Sequence, residues 1–135
     1  MTKEEKDLLI GYLYSVLPFG VYVNAEHDWF YNEVPPYDCL ITPKDHNILN
    51  NFFENPITCS FTIKPYLRTF EQMTEDEHDY HMKLSRDLKV GGNIDLMLNF
   101  YLSHHLDYLG LIYKGLALKA TDEIEKQYGI KKVGK

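Results

Sequence analysis

The spacing of apolar positions changes several times along the chain, and each change marks an element. Leu8, Leu9, Tyr12, Leu13, Val16 and Leu17 recur at steps of three and four, the signature of one buried helix face. Thr2 with Glu5 three residues later forms a capping box at the start of that helix, and Pro18 stops it. Residues 19–24 (FGVYVN) alternate in aromatic and β-branched residues and predict a strand, followed over residues 24–32 (NAEHDWFYN) by a polar excursion with an aromatic cluster. Pro35 and Pro36 do not suit a sheet interior, so they are expected to mark the entry to a second strand over residues 37–41. Thr42-Pro43 reads as an N-cap and first helical residue, with Ile48, Leu49, Phe52 and Phe53 on one face of a short helix that Asn55-Pro56 ends. Residues 57–63 (ITCSFTI) give the clearest strand pattern, closed by Lys64-Pro65, and residues 66–73 form a link.

In the second half, Thr74 and Glu77 form another capping box, opening a polar helix to about Leu88 in which only Tyr80 or His81, Leu84 and Leu88 are candidates for burial. Gly91-Gly92-Asn93 breaks the chain, with Asn93 placed to cap a helix from Ile94 to about His105. Residues 94–120 are the most apolar long stretch and are expected at the centre of the core. Asp107 is placed to cap a turn through Ile112, Gly115 to end it in the left-handed conformation, and residues 116–119 to run extended. A last helix spans residues 121–128 and is closed by Gly129, with residues 128–135 a frayed tail carrying Lys131, Lys132 and Lys135. This order lacks the βαβ rhythm of nucleotide-binding folds. It predicts a single α+β domain over residues 1–135, with a small antiparallel sheet of about three strands packed on one face by helices.

Composition narrows the picture. A chain of 135 residues that is 44% hydrophobic can bury one core without disulfides or a structural metal. Cys39 and Cys59 fall in strand-like segments and read as small buried hydrophobes. Twenty acids against fourteen bases, a net charge of −6, argue against a broad grip on nucleic-acid phosphates. The start MTKEEKDLL has no basic n-region or long apolar run, and no segment reaches membrane-spanning length, so a cytoplasmic setting and no membrane partner are expected. Eleven Tyr, seven Phe and one Trp are an aromatic load that suits a protein contact surface and allows for a homodimer.

His104, His105 and Asp107 are the candidates for catalysis, because an imidazole oriented by a carboxylate is the unit of general acid–base chemistry. The structural alternative has Asp107 capping the next turn and one histidine satisfying a carbonyl at the helix end. His78 and His81, three apart on the polar helix, could converge on a metal ion, but no HExxH or paired CxxC pattern accompanies them and no cofactor is expected. Lys64, Tyr66 and Arg68 alternate beyond the strand and could bind an anion, or Arg68 could pair with an acid such as Asp107. Trp29 and Tyr31, with Phe30 and Tyr37, are candidates to anchor a partner, or to fold back over the sheet. There is no serine nucleophile elbow and no phosphate-binding glycine pattern.

The motifs IKPYLR (63–68), MTEDE (73–77) and HHLDYLGLIYKGLAL (104–118) resemble those of an uncharacterised family of small proteins from gut Bacteroidales and their phages and prophages. The family tends to carry Arg where this chain has Leu109, so a role for that basic group does not transfer. The resemblance implies a bacterial or phage origin, a host cytoplasm if phage-encoded, and a shared fold, with no mechanism attached. The expected function is that of a small non-enzymatic interaction or regulatory protein of a mobile element. The alternative is a small enzyme or ligand-binding protein using a His/Asp pair on an anionic or polar ligand.

Overall fold

A computed structural model describes residues 2–29, 32–45 and 60–130, with backbone only at 26–29, 32–36 and 60–62. Helix α1 (Lys3–Val16) runs through a 3-10 turn into strands β1 (Val21–Trp29) and β2 (Asn32–Ile41). After β3 (Ser60–Leu67) come α2 (Glu75–Lys89), α3 (Ile94–Ser103), β4 (Leu118–Lys119) and α4 (Asp122–Gln127). The α+β class stands, but the sheet has four strands in the order β2-β1-β3-β4, and its β3/β4 pair is parallel. The expected sheet, antiparallel and three-stranded, lacks β4 because two residues carry no period.

Local signals set the helix starts. The Thr2/Glu5 and Thr74/Glu77 capping boxes both form, and Asn93 and Thr121 cap α3 and α4 through their side chains. Between α2 and α3, Gly91 sits at φ +92°, and a Cβ on Gly92 would meet the Asp87 carbonyl oxygen at 2.6 Å. The breaker therefore needs both glycines, one for its dihedral and one for its close approach.

The β-strands run further than their sequence suggests. β1 continues through the polar residues 24–29, and its ladder to β2 ends at Trp29↔Asn32, so the excursion is a hairpin. Pro35 and Pro36 lie within β2, not before it. They are tolerated because β2 has β1 as its one neighbour among the described strands, and the register shifts there, two residues of β2 standing opposite one of β1. Pro65 likewise does not close β3. The ladder to β1 ends at Val23↔Pro65 and the ladder to β4 begins at Tyr66↔Leu118, so the missing N–H falls where one partner strand gives way to the next.

The core lies between α1 and the sheet. Leu9, Tyr12, Leu13 and Val16 pack on Val21, Val23, Ile63 and Leu67, with Leu111 and Leu116 closing one side. Each fully buried aliphatic side chain contributes about 1.5–3 kcal/mol. Residues 94–120 are not the centre of this core. Ile94, Leu96 and Leu98 are exposed, and α3 buries only Met97 and Phe100, in a smaller cluster with Leu84 and Leu106. The segment's contribution to the main core comes mostly from the turns after α3, through Leu111, Leu116 and Ala117, with Leu102 near the helix end packed against it. Tyr80 is also exposed. The predicted helix over residues 48–53, the start of the strand at 57–59 and the tail at 131–135 lie outside the described residues. No helix among the described residues is long and apolar enough to cross a membrane.

Candidate functional site

Arg68 is the polar centre of the molecule. It follows the last residue of β3 and is completely buried. Its backbone bridges to the turn after α3, donating from N to the His105 carbonyl at 2.8 Å and accepting at O from Asp107 N–H at 2.9 Å. Alternation along β3 places Leu67 in the α1-facing core, which turns Arg68 the other way, toward α2 and α4. There Nε donates to Glu125 Oε2 at 2.9 Å, and the two terminal nitrogens donate to Glu77 Oε2 and Oε1 at 2.7 Å each. The remaining two donors reach the carbonyls of His104 (3.2 Å) and Gln72 (2.9 Å). All five guanidinium hydrogens are thus used.

Glu77 is used as fully. Besides the fork from Arg68, Oε1 accepts from Thr74 N–H at 2.8 Å and Oε2 contacts His104 Nδ1 at 2.6 Å. Burial alone would raise its pKa, but the bonds from Arg68, His104 and Thr74 outweigh burial and hold the carboxyl well below the usual carboxylate range. For Arg68 burial pulls down and the two carboxylates pull up, leaving it above its ordinary value. Gln72 completes the cluster, its Nε2 donating to Glu125 Oε1 at 3.3 Å and to the Ala120 carbonyl at 2.9 Å. One cation and two anions sit here below a tenth exposure, with partly exposed His104 at the edge.

Arg68 does pair with acids, as expected, but these are Glu77 and Glu125 and not Asp107. Asp107 spends its side chain on backbone, its two oxygens accepting from Leu111 N–H (2.7 Å) and Ile112 N–H (3.0 Å), as a cap does. The adjacent histidines part company. His104 faces Glu77, whereas His105 is buried and adopts φ +57°. His105 occupies the left-handed position of a Schellman turn closing α3, with its N–H on Leu102 O and the Leu106 N–H on Tyr101 O. Glycine usually fills that position. Here the imidazole holds it, with Nε2 2.7 Å from the Gly20 carbonyl and the ring stacked on Tyr128 at 3.7 Å. Burial lowers the His105 pKa to about 4, with Arg68 and His104 adding to the effect and the Gly20 bond opposing it. The ring is therefore neutral at pH 7, and because a carbonyl only accepts, Nε2 carries the proton.

Tyr128, read from sequence as the start of a frayed tail, is instead a clamp. Its hydroxyl accepts from Tyr22 N–H at 2.8 Å and donates to the Tyr66 carbonyl at 2.9 Å, where the β1/β3 ladder has just ended.

The other candidates lie apart from this cluster. Lys64 and Tyr66 are on the outer face of the sheet, half-buried, and the Tyr66 hydroxyl donates to Asp38 Oδ1 at 2.8 Å. By alternation they share Arg68's side of β3, but Arg68 is buried against Glu77 of α2 and Glu125 of α4, so the three do not form one exposed anion site. His78 and His81 border an open groove of about 620 Å³ with Phe70, Glu71, Glu75 and Met82. His81 Nε2 is 2.9 Å from the Tyr101 hydroxyl, and burial lowers its pKa, aided by His78. Among the described residues no three His, Cys, Asp or Glu side chains converge as a metal ion would require. Of Trp29 the backbone at the end of β1 is described, and Tyr31 lies outside the described residues. Cys39 is a half-buried free thiol whose pKa burial raises, and Cys59 lies outside.

Sequence reasoning missed Glu77 and Glu125. Glu77 carried one usable signal, since the third position of a capping box folds its side chain back toward the N-cap and the chain before it, where Arg68 lies. Glu125 carried none. The chain matches no protein-family profile, and comparison with curated proteins and with solved structures finds no match.

Proposed function

We propose that this is a small non-enzymatic interaction or regulatory protein of a bacterial mobile element or phage, acting in the bacterial cytoplasm through protein contacts. One observation carries the reading. The groups best suited to chemistry are consumed internally, Asp107 by two backbone N–H groups and Arg68 by five acceptors, so the His/Asp pair of the alternative is not assembled. Apolar side chains meanwhile stay outside. Ile94, Leu96 and Leu98 on the ten-residue α3 are 37–56% exposed, and Val90 before it is 86% exposed. Val90 and Leu96 border a cleft of about 300 Å³. Single exposed hydrophobes are ordinary, but Ile94 and Leu98, four apart and so on one face of this short helix, make the kind of apolar surface that partners cover.

A second reading rests on His104, whose Nδ1 is held by Glu77 while the ring is 37% exposed, the arrangement of a carboxylate-oriented general base. The test compares tagged wild type with Ile94→Glu/Leu98→Glu and with His104→Gln in affinity capture from bacterial lysate. A partner lost in the α3 variant and kept in His104→Gln supports the interaction reading. A partner retained by the α3 variant refutes this surface, and small-molecule binding abolished by His104→Gln favours the second reading.

A further inference from the structure

The outer face of α2 carries a charge pattern that is its own complement. Glu75, Asp79, Met82, Arg86 and Lys89 follow one another at steps of four, three, four and three, so they form a single stripe along the fifteen-residue helix. The opposite face is occupied, Glu77 by Arg68 and Leu84 by the α3 cluster. All five stripe residues are exposed. Reading along it, two acids precede Met82 and two bases follow, and Met82, 47% exposed, has seven helical residues on either side. The helix dipole accounts for acids in the first turn and bases in the last. It does not account for Asp79, beyond the first turn, or for an exposed methionine at the midpoint.

We propose that α2 is a self-recognition surface, on which a second copy of this chain docks with its own α2 antiparallel about a two-fold axis through Met82. That operation sets Glu75 opposite the second copy's Lys89 and Asp79 within one residue of register from its Arg86, and symmetry doubles each pair. The two methionines meet on the axis, as adaptable apolar side chains suit. The groove beside the first half of α2 supplies the seat. Glu71 and Glu75 border it and Phe70 and Met82 give it apolar surface, so it fits the methylene stems and cationic heads of the second copy's Arg86 and Lys89. A parallel arrangement would place acid against acid and base against base along the whole stripe, which fixes the direction. Because every pair is at the surface, the association is weak and its specificity rests on charge. This inference stands on α2 alone and does not depend on the α3 surface.

The test uses purified protein in sedimentation equilibrium with three chains: wild type, Glu75→Lys/Asp79→Lys, and Arg86→Glu/Lys89→Glu. Wild type is expected to dimerise reversibly with concentration. Each reversal puts like charges on both halves and is expected to weaken self-association about tenfold or more. Mixing the two reversed chains is expected to restore a dimer, as a heterodimer. Met82→Lys, with no change at the helix ends, is expected to weaken association in the same way and tests the same interface if a reversed chain fails to fold. A wild type monomeric up to about 1 mM, the weak end of specific association, overturns the proposal. So does a dimer indifferent to Met82→Lys and the reversals, or reversed chains that do not recognise each other.

Discussion

Replacing Arg68 with Met keeps most of the side-chain volume and removes the charge and all five donors. Glu77 and Glu125, 7% and 3% exposed, would then face each other's charge without the cation between them. Breaking a buried ion pair from one side costs about 3–5 kcal/mol, because the abandoned charge stays buried. For 135 residues the entropy of unfolding is about 0.28 kcal/mol/K, so the melting temperature should fall by about 10–18 °C. The pH dependence adds a second signature. In the wild type the Glu77 pKa is depressed, so its stabilisation is present above the unfolded carboxylate range and is lost as pH falls below it. Without Arg68 the largest influence opposing burial is gone and the bonds from His104 and Thr74 remain, so the Glu77 pKa should rise from its wild-type position and the variant should lose less stability at pH 5 than at pH 7. Neutralising the acids as well, in Arg68→Met/Glu77→Gln/Glu125→Gln, should recover most of the loss, because the side-chain amide introduced at position 77 still offers an oxygen to the capping box. Differential scanning calorimetry at both pH values is the assay. A drop smaller than about 3 °C, or the same drop at pH 5 and pH 7, would refute the claim that Arg68 is the counter-charge of a buried cluster.

Three further outcomes are expected. His105→Asn suits the left-handed backbone but loses the Gly20 bond and the Tyr128 stack; it should flatten the decline in stability that the wild type shows as pH falls from about 6.5 toward 4, where a depressed histidine pKa makes the unfolded state take up the proton first. Chemical denaturation across that range reads the slope, and an unchanged slope would rule out His105 as its source. Tyr128→Phe leaves the Tyr22 amide and Tyr66 carbonyl without the hydroxyl and should cost about 1–3 kcal/mol, measured as a shift of the urea midpoint at constant m-value. Asp107→Ala removes two backbone caps and should cost about 1–2 kcal/mol, whereas Asp107→Asn, which keeps one acceptor oxygen, should cost less; equal losses would mean the caps are not what Asp107 contributes.

What the sequence disclosed depended on how far apart the interacting residues lie. Caps at Thr2, Thr74, Asn93, Asp107 and Thr121 involve partners two to five residues away, so the side chain and the amide it bonds can be read from one window. β1 beyond Asn24 could not be read that way, because its polar residues are held by ladders to β2 and β3 and not by any period of their own. Pro65 misled for the same reason, since its tolerance depends on where β4 joins. At the site, the cap role of Asp107 was legible, being local to the turn after α3, whereas the expected histidine bond to a helix-end carbonyl is not made: His105 reaches the Gly20 carbonyl, 85 residues away. Arg68 was visible as a charged residue after a strand, but its partners lie 9 and 57 residues away; the capping-box position of Glu77 turns its side chain back toward the preceding chain, while nothing in the spacing of Glu125 selects it over the other acids.

The clasp between Tyr128 and Tyr22 joins residues 106 apart. The Tyr22 amide belongs to β1, yet its acceptor arrives from beyond α4, so its exchange with solvent deuterium reports on a helix it is not part of. If α4 lifts from the body while the sheet stays intact, that amide opens and the Val23 amide, which alternation turns toward β2, stays protected. The same excursion separates Glu125 from Arg68. The exchange rate at Tyr22 therefore measures how often the buried cluster is breached, without any probe placed in the cluster itself.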